Sequence, residues 1–138
     1  AIEIWKAPVH SGATGTVAVS TSEVAYGAAV AVYRAMGKRL SGTAASGGSA
    51  TAAAAVSANI VTSAGETVLT GAWHFNGNGL SFTGVTADFA PYDFRTGDFF
   101  AVGTHAVSAG EAPGSVSATA RASATVFNIL SATLEDDT

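Results

Sequence analysis

Between Ser115 and Phe127 the chain alternates apolar and polar residues without a break: Val116, Ala118, Ala120, Ala122, Ala124 and Val126 against Ser117, Thr119, Arg121, Ser123 and Thr125. Successive side chains of a strand point to opposite faces, so this pattern predicts one long β-strand. At roughly 3.3 Å per residue it would span about 40 Å. One face is nearly all alanine and needs bulkier groups above it. The other is Ser/Thr with a single Arg, suited to water or a polar interface.

Other segments read as β by the same rule. Ala50–Val61 alternates weakly, with Ala54, Val56, Ala58 and Ile60 on one face. Thr67–Phe75 is a strand closed by Asn76-Gly77-Asn78-Gly79, residues that tolerate the positive φ of hairpin turns. Leu80–Phe89 changes apolar phase at Gly84, which predicts a β-bulge, and Asp98–Ser108 follows. Residues 1–19 read as a short strand, a loop and a second strand. Residues 21–39 carry a helix signal instead. Ser20 and Glu23 fit a capping box, and Ala25, Ala29, Val32, Tyr33, Met36 and Leu40 fall on one stripe. Gly27, Val24, Val30 and Val32 are poor helix formers, so a strand over Val24–Tyr33 is the alternative. SGTAASGGS at 41–49 reads as a flexible loop, and Glu135-Asp136-Asp137 as a frayed acidic tail. The expected fold is therefore mainly β to α+β: one domain over 1–138, an antiparallel sheet or sandwich carrying one amphipathic helix, with extended termini.

Composition limits the function. Only 12% of residues are charged, net charge is −4 and the pI is about 5.1. Six basic residues cannot build the positive stripe that nucleic acid requires. No cysteine is present, which removes disulfides and thiolate chemistry. No apolar run reaches the ~18 residues of a membrane span, and no signal peptide is visible at Ala1. Alanine supplies 30 of the 138 residues. Small side chains bury little area each, so such a chain gains by burying surface against other subunits.

Catalytic signatures are lacking. Asp88, Asp93 and Asp98 sit five apart and could hold a cation, but the spacing fits no EF-hand and turns ordinarily carry Asp. His74 and His105 could share one face of a sheet, with His10 elsewhere; partly buried or surface histidines are the plainer reading. There is no G-x-S-x-G elbow and no phosphate loop. These observations assign no catalytic, cofactor or metal residues. The aromatic cluster Phe89, Tyr92, Phe94, Phe99 and Phe100, together with Trp5, is the better candidate, because aromatics dominate both cores and interface hot spots. A Trp-tipped terminal strand could also add to a neighbour's sheet.

The segments AIEIWKAPVHSGATGTVAVS and SVSATARASATVFNIL give the chain a texture that resembles small virion proteins of tailed bacteriophages, such as head-decoration or tail components. The resemblance implies a non-enzymatic, multicopy virion component, made in a host cytoplasm and held by self-association or by other structural proteins. Two alternatives stand beside it. Strand, helix 21–39 and strands resemble the hot-dog thioesterase/hydratase topology, without that family's Asp/His motif. Gly71-Ala72-Trp73 resembles the Gly-x-Trp of lipocalins and avidins, small barrels that bind apolar ligands, although it lies in mid-chain.

Overall fold

The computed structural model describes residues 2–7, 16–22, 28–108, 114–124 and 126–137. Among these residues the secondary structure is antiparallel β, with no helix. The strands are β1 (Lys38–Ser49), β2 (Ala53–Thr62), β3 (Thr67–Phe75), β4 (Asn78–Thr83), β5 (Thr86–Ala87), β6 (Tyr92–Arg95), β7 (Asp98–Ala106), β8 (Gly114–Ala124) and β9 (Val126–Asp136). A larger sheet has the order β1-β9-β3-β7-β5, with β6 also paired to β7, and a smaller one the order β2-β8-β4. The chain passes repeatedly from one sheet to the other: β1 to β2, β2 to β3, β3 to β4.

The core follows from period-two burial. Val56, Ala58 and Ile60 of β2 form one buried cluster with Leu80 of β4, Val68 and Ala72 of β3, Ala101 of β7, and Phe127 and Ile129 of β9. Thr70 and Ser131 are buried beside it and satisfy each other through a 2.8 Å hydroxyl contact. The long alternating segment does form β8, and its register sets Ala118 against Ala58, Ala120 against Val56 and Val116 against Ile60. Ala122 packs against the core cluster from the same strand.

Several expectations are corrected. The helix over 21–39 is absent from its described part: residues 28–35 form no regular element and Lys38 begins β1, while 23–27 lie outside the described residues. Burial over 29–32 alternates instead, Ala29 and Ala31 half-buried, Val30 and Val32 exposed. That is the period of an extended chain, and the β-branched valines prefer it. The loop expected at 41–49 is the body of β1. Its small residues let backbones approach closely: a Cβ on Gly47 would stand 2.1 Å from the Ser57 carbonyl oxygen. The Asn76–Gly79 turn, with Asn76 at φ 50° and Gly79 at φ 62°, leads β4 into the other sheet and not into a hairpin with β3. Gly84 at φ 85° separates β4 from β5, which lie in different sheets. The acidic tail is zipped into β9, with Lys38 2.6 Å from Asp136 and Arg39 2.9 Å from Glu135. Opposite charges placed across a strand pair hold an end that repulsion would otherwise fray. Of the strands expected at 1–19, the described residues 2–7 and 16–19 make no ladder pairing.

Replacing Gly47 by Ala should lower stability by about 3 kcal/mol or more, because the new methyl overlaps backbone. The exposed neighbour change Ser46→Ala should stay within about 0.5 kcal/mol. Urea denaturation midpoints would check both, and an unchanged midpoint for Gly47→Ala would disprove the close β1–β2 packing.

Candidate functional site

Residues paired across strands share a face, so the ladder defines what lies on the side of the larger sheet away from the core. Gly71 of β3 pairs with Val102 and Leu130, Leu69 with Ala132, Trp73 with Phe100, Leu134 with Leu40, and Ala132 with Ala44. This outer face is therefore largely apolar across four strands, with Ser46, Thr104 and Asn128 as polar members. Bare, it would expose a broad greasy sheet. Among the described residues, two segments outside the ladder cover it.

The first is the N-terminal arm. Ile2 and Ile4 are half-buried while Glu3 and Trp5 point outward. Ile2 sits over Gly71, where a Cβ would stand 2.9 Å from its Cδ1. Ile4 lines a shallow pocket together with Leu40, Ala44, Leu130 and Ala132. The arm thus runs from β3 across β9 to β1, and the next residue, Trp5, is 84% exposed. The indole Nε1 donates to Glu3 Oε2 at 2.7 Å, which fixes the ring against its own arm.

The second cover is the segment 28–33, over the β7 end. Tyr33 donates its hydroxyl to Asp88 Oδ2 at 2.6 Å, and Thr104 of β7 donates to Asp88 Oδ1 at 2.9 Å. Asp88 thereby links the segment to the sheet. Burial, then the hydrogen bond that the phenol donates to Asp88 and the negative charge of that carboxylate, push the Tyr33 phenol well above its ordinary range, so it remains a donor at neutral pH. The Tyr33 ring lies 6.3 Å from that of Phe89. Between segment and sheet is an apolar cleft of about 530 Å³, with residues 28–32 on one side and Phe89, Ala90, Tyr92, Phe100 and Val102 on the other.

The aromatic candidates separate by strand geometry. Phe99 points inward, packs on the core and meets the His74 ring at 5.5 Å, whereas its neighbour Phe100 faces the cleft. Phe89 and Tyr92 are 57% and 61% exposed at the cleft rim. The Phe94 side chain lies outside the described residues. The sequence did not single out Ile2, Ile4, Tyr33, Asp88 or Gly71 as parts of one face. The alternation Ile2-Glu3-Ile4-Trp5 was the available signal for the arm.

The polar candidates do not converge. Asp98 is buried and accepts from the Asn76 amide at 3.0 Å, with Arg95 Nε 3.9 Å away; Asp88 is the link just described; Asp93 is exposed on β6. His74 and His105 do share the inner face of the larger sheet, since Val68 pairs with His105. Six residues of strand separate them, roughly 20 Å. His74 is fully buried between Phe99 and Phe127, its Nε2 2.6 Å from the Gly79 carbonyl and its Nδ1 without a partner among the described residues. His10 lies outside the described residues. No group of three or more His, Asp or Glu side chains suited to a metal occurs among the described residues. Nor is there a helix there long and apolar enough to cross a membrane.

No protein-family model, no curated protein and no solved structure matches the chain.

Tyr33→Phe should cost up to about 1 kcal/mol below pH 10, a hydrogen bond to a charged group discounted for its exposure. The sign of the pH dependence follows from the raised phenol: its contribution is complete below the unfolded value near 10 and is lost as pH climbs above it. Melting temperatures of the two proteins should therefore converge in alkali. A gap that widens there would disprove the Tyr33–Asp88 link.

Proposed function

We propose that this protein is a structural component that works as one copy among many, a β-sandwich whose outer face carries the contacts between subunits. The observation that carries this reading is the exposed apolar set on and around that face. Trp5, Val30, Val32, Met36, Phe89 and Tyr92 are between 56% and 84% exposed. Single exposed apolar residues are ordinary, but four of these, Val30, Val32, Phe89 and Tyr92, line one cleft, and a group of that kind marks an interaction surface. The site chemistry gives no competing support: Asp88 and Asp98 accept hydrogen bonds that hold neighbouring segments, His74 is buried in the core, and Asp93 is exposed away from them.

Texture and surface together favour the tailed-phage virion reading, a capsid-decoration or tail component made in a host cytoplasm. A low charged fraction and small-residue strands suit a subunit that buries much of its surface in a lattice. Self-association, or association with other structural proteins of such a particle, follows from the same surface.

Light scattering over a range of concentrations, with negative-stain microscopy of the same samples, tests the reading. Mass that grows with concentration, with rings, tubes or regular small oligomers on the grid, is the expected outcome. A compact monomer at every concentration, which also fails to bind any larger particle, would sink it.

A further inference from the structure

We infer that Trp5 of one copy inserts into the cleft between residues 28–32 and β7 of the next, so that copies join head to tail. This rests on the assembly reading and names its partner: a second copy of this chain. The knob and the hole are both present, and neither is filled by any of the described residues. Trp5 is 84% exposed and held by Glu3. The cleft of about 530 Å³ is walled by apolar residues and rimmed by Phe89 and Tyr92.

Trp5 does not reach the cleft of its own molecule. Ile4 lies against β1 and β9, so Trp5 leaves the face on the β1 side. The cleft lies at β7, across β9 and β3. At 4.7–4.9 Å per strand the separation is about 10–15 Å, beyond the reach of an indole already turned outward. Only another copy brings the two together.

The chemistry of the cleft favours a side chain over a small ligand. Ligand sites enclose most of the ligand and place a few polar groups to orient it. Here the side chains of residues 28–32, Phe89, Ala90, Phe100, Ala101 and Val102 are apolar, Tyr92 adds one hydroxyl at the rim, and the aromatic rim is more than half exposed. A Trp ring needs apolar walls and an aromatic edge, which is what the site offers.

Knob and hole at opposite flanks of one face let each copy engage two neighbours at once. A contact of this heterologous kind closes into a ring or continues as a filament. Burying the Trp5 ring with the rim rings of Phe89 and Tyr92 removes at most about 450–750 Å² from water, at 150–250 Å² per aromatic. That falls below the ~1,200 Å² of a stable pairwise interface. One contact is therefore weak, and association should climb with concentration and not arrive as a tight dimer.

The test is sedimentation velocity of the full chain from low micromolar to near-millimolar concentration, with two kinds of variant. Trp5→Ala removes the knob and leaves the cleft; Ala31→Trp fills the cleft and leaves the knob, and Tyr92→Ala at the rim replaces it should Ala31→Trp melt early. Each variant should weaken self-association about 30-fold or more, as a hot-spot residue does. Wild type should grow past dimer, while an equimolar mixture of Trp5→Ala with Ala31→Trp should stop at dimer, having one knob and one hole left. Wild type that itself stops at dimer overturns the head-to-tail arrangement. Variants that assemble as wild type does overturn the Trp5–cleft contact and leave the assembly reading intact. A monomeric wild type removes both. A monomer whose melting point rises with anilinonaphthalene sulfonate, an effect lost in Ala31→Trp, assigns the cleft to small ligands and overturns the inference.

Discussion

Phe127 and Ile129 of β9 are fully buried, and the strand that carries them is hydrogen-bonded along both edges, to β1 and to β3. Its inner side chains enter the cluster shared with Val56, Ala58 and Ile60 of β2. Its outer ones, Leu130 and Ala132, line a shallow pocket with Ile4 of the arm. The rest of the structure is arranged around this strand, because it is apolar on both sides. The larger sheet must therefore be covered twice, once by the smaller sheet and once by chain that has no ladder of its own. The arm and the segment 28–33 exist as covers for this reason. The outer face, where the proposed contacts lie, follows from the core.

Small residues set the thickness of what is covered. Gly47 comes so near Ser57, and Gly103 so near Thr86, that a Cβ at either would stand 2.1 and 2.7 Å from a carbonyl oxygen. Close backbone approach gains dispersion contacts at the cost of buried area per residue. With alanine at positions where other proteins place leucine, each side chain removes less surface from water. The low charged fraction points the same way. Little in the surface discourages apolar contact between copies.

The sequence made the fold legible wherever one side chain alternation decided it. β2, β3 and β7 lie within a few residues of their expected bounds, and the alternating alanines of β8 are a strand. It was silent where the deciding neighbour was remote. SGTAASGGS is loop-like by composition, and becomes a strand because β9 pairs with it and because glycine admits Ser57 and Asn128. The stripe over 21–39 satisfied helical spacing, yet Val30, Val32 and Tyr33 also satisfy an extended chain. Tyr33 is held extended by Asp88, 55 residues away. For the candidate site, Trp5 and the rim aromatics could be named from residue type alone. Phe99 and Phe100 could not be told apart until the register assigned one to the core and the other to the cleft.

The segment 28–33 shows how the outer face departs from what monomer stability would select. Its alanines, Ala29 and Ala31, are the less exposed residues, and its valines, Val30 and Val32, are 56% and 62% exposed. Exchanging the two pairs would place four additional carbons against the sheet, worth roughly 3 kcal/mol at about 0.8 kcal/mol per buried methylene. Space for them exists, since the cleft beside the segment measures about 530 Å³. An isolated domain gains nothing from the observed order. It leaves a cavity open within and apolar side chains outside, both costs to a lone subunit. Under the proposed contact the same order becomes favourable: a neighbour's indole in the cleft and a neighbour's surface against the valines would supply between copies the stabilisation absent from the fold.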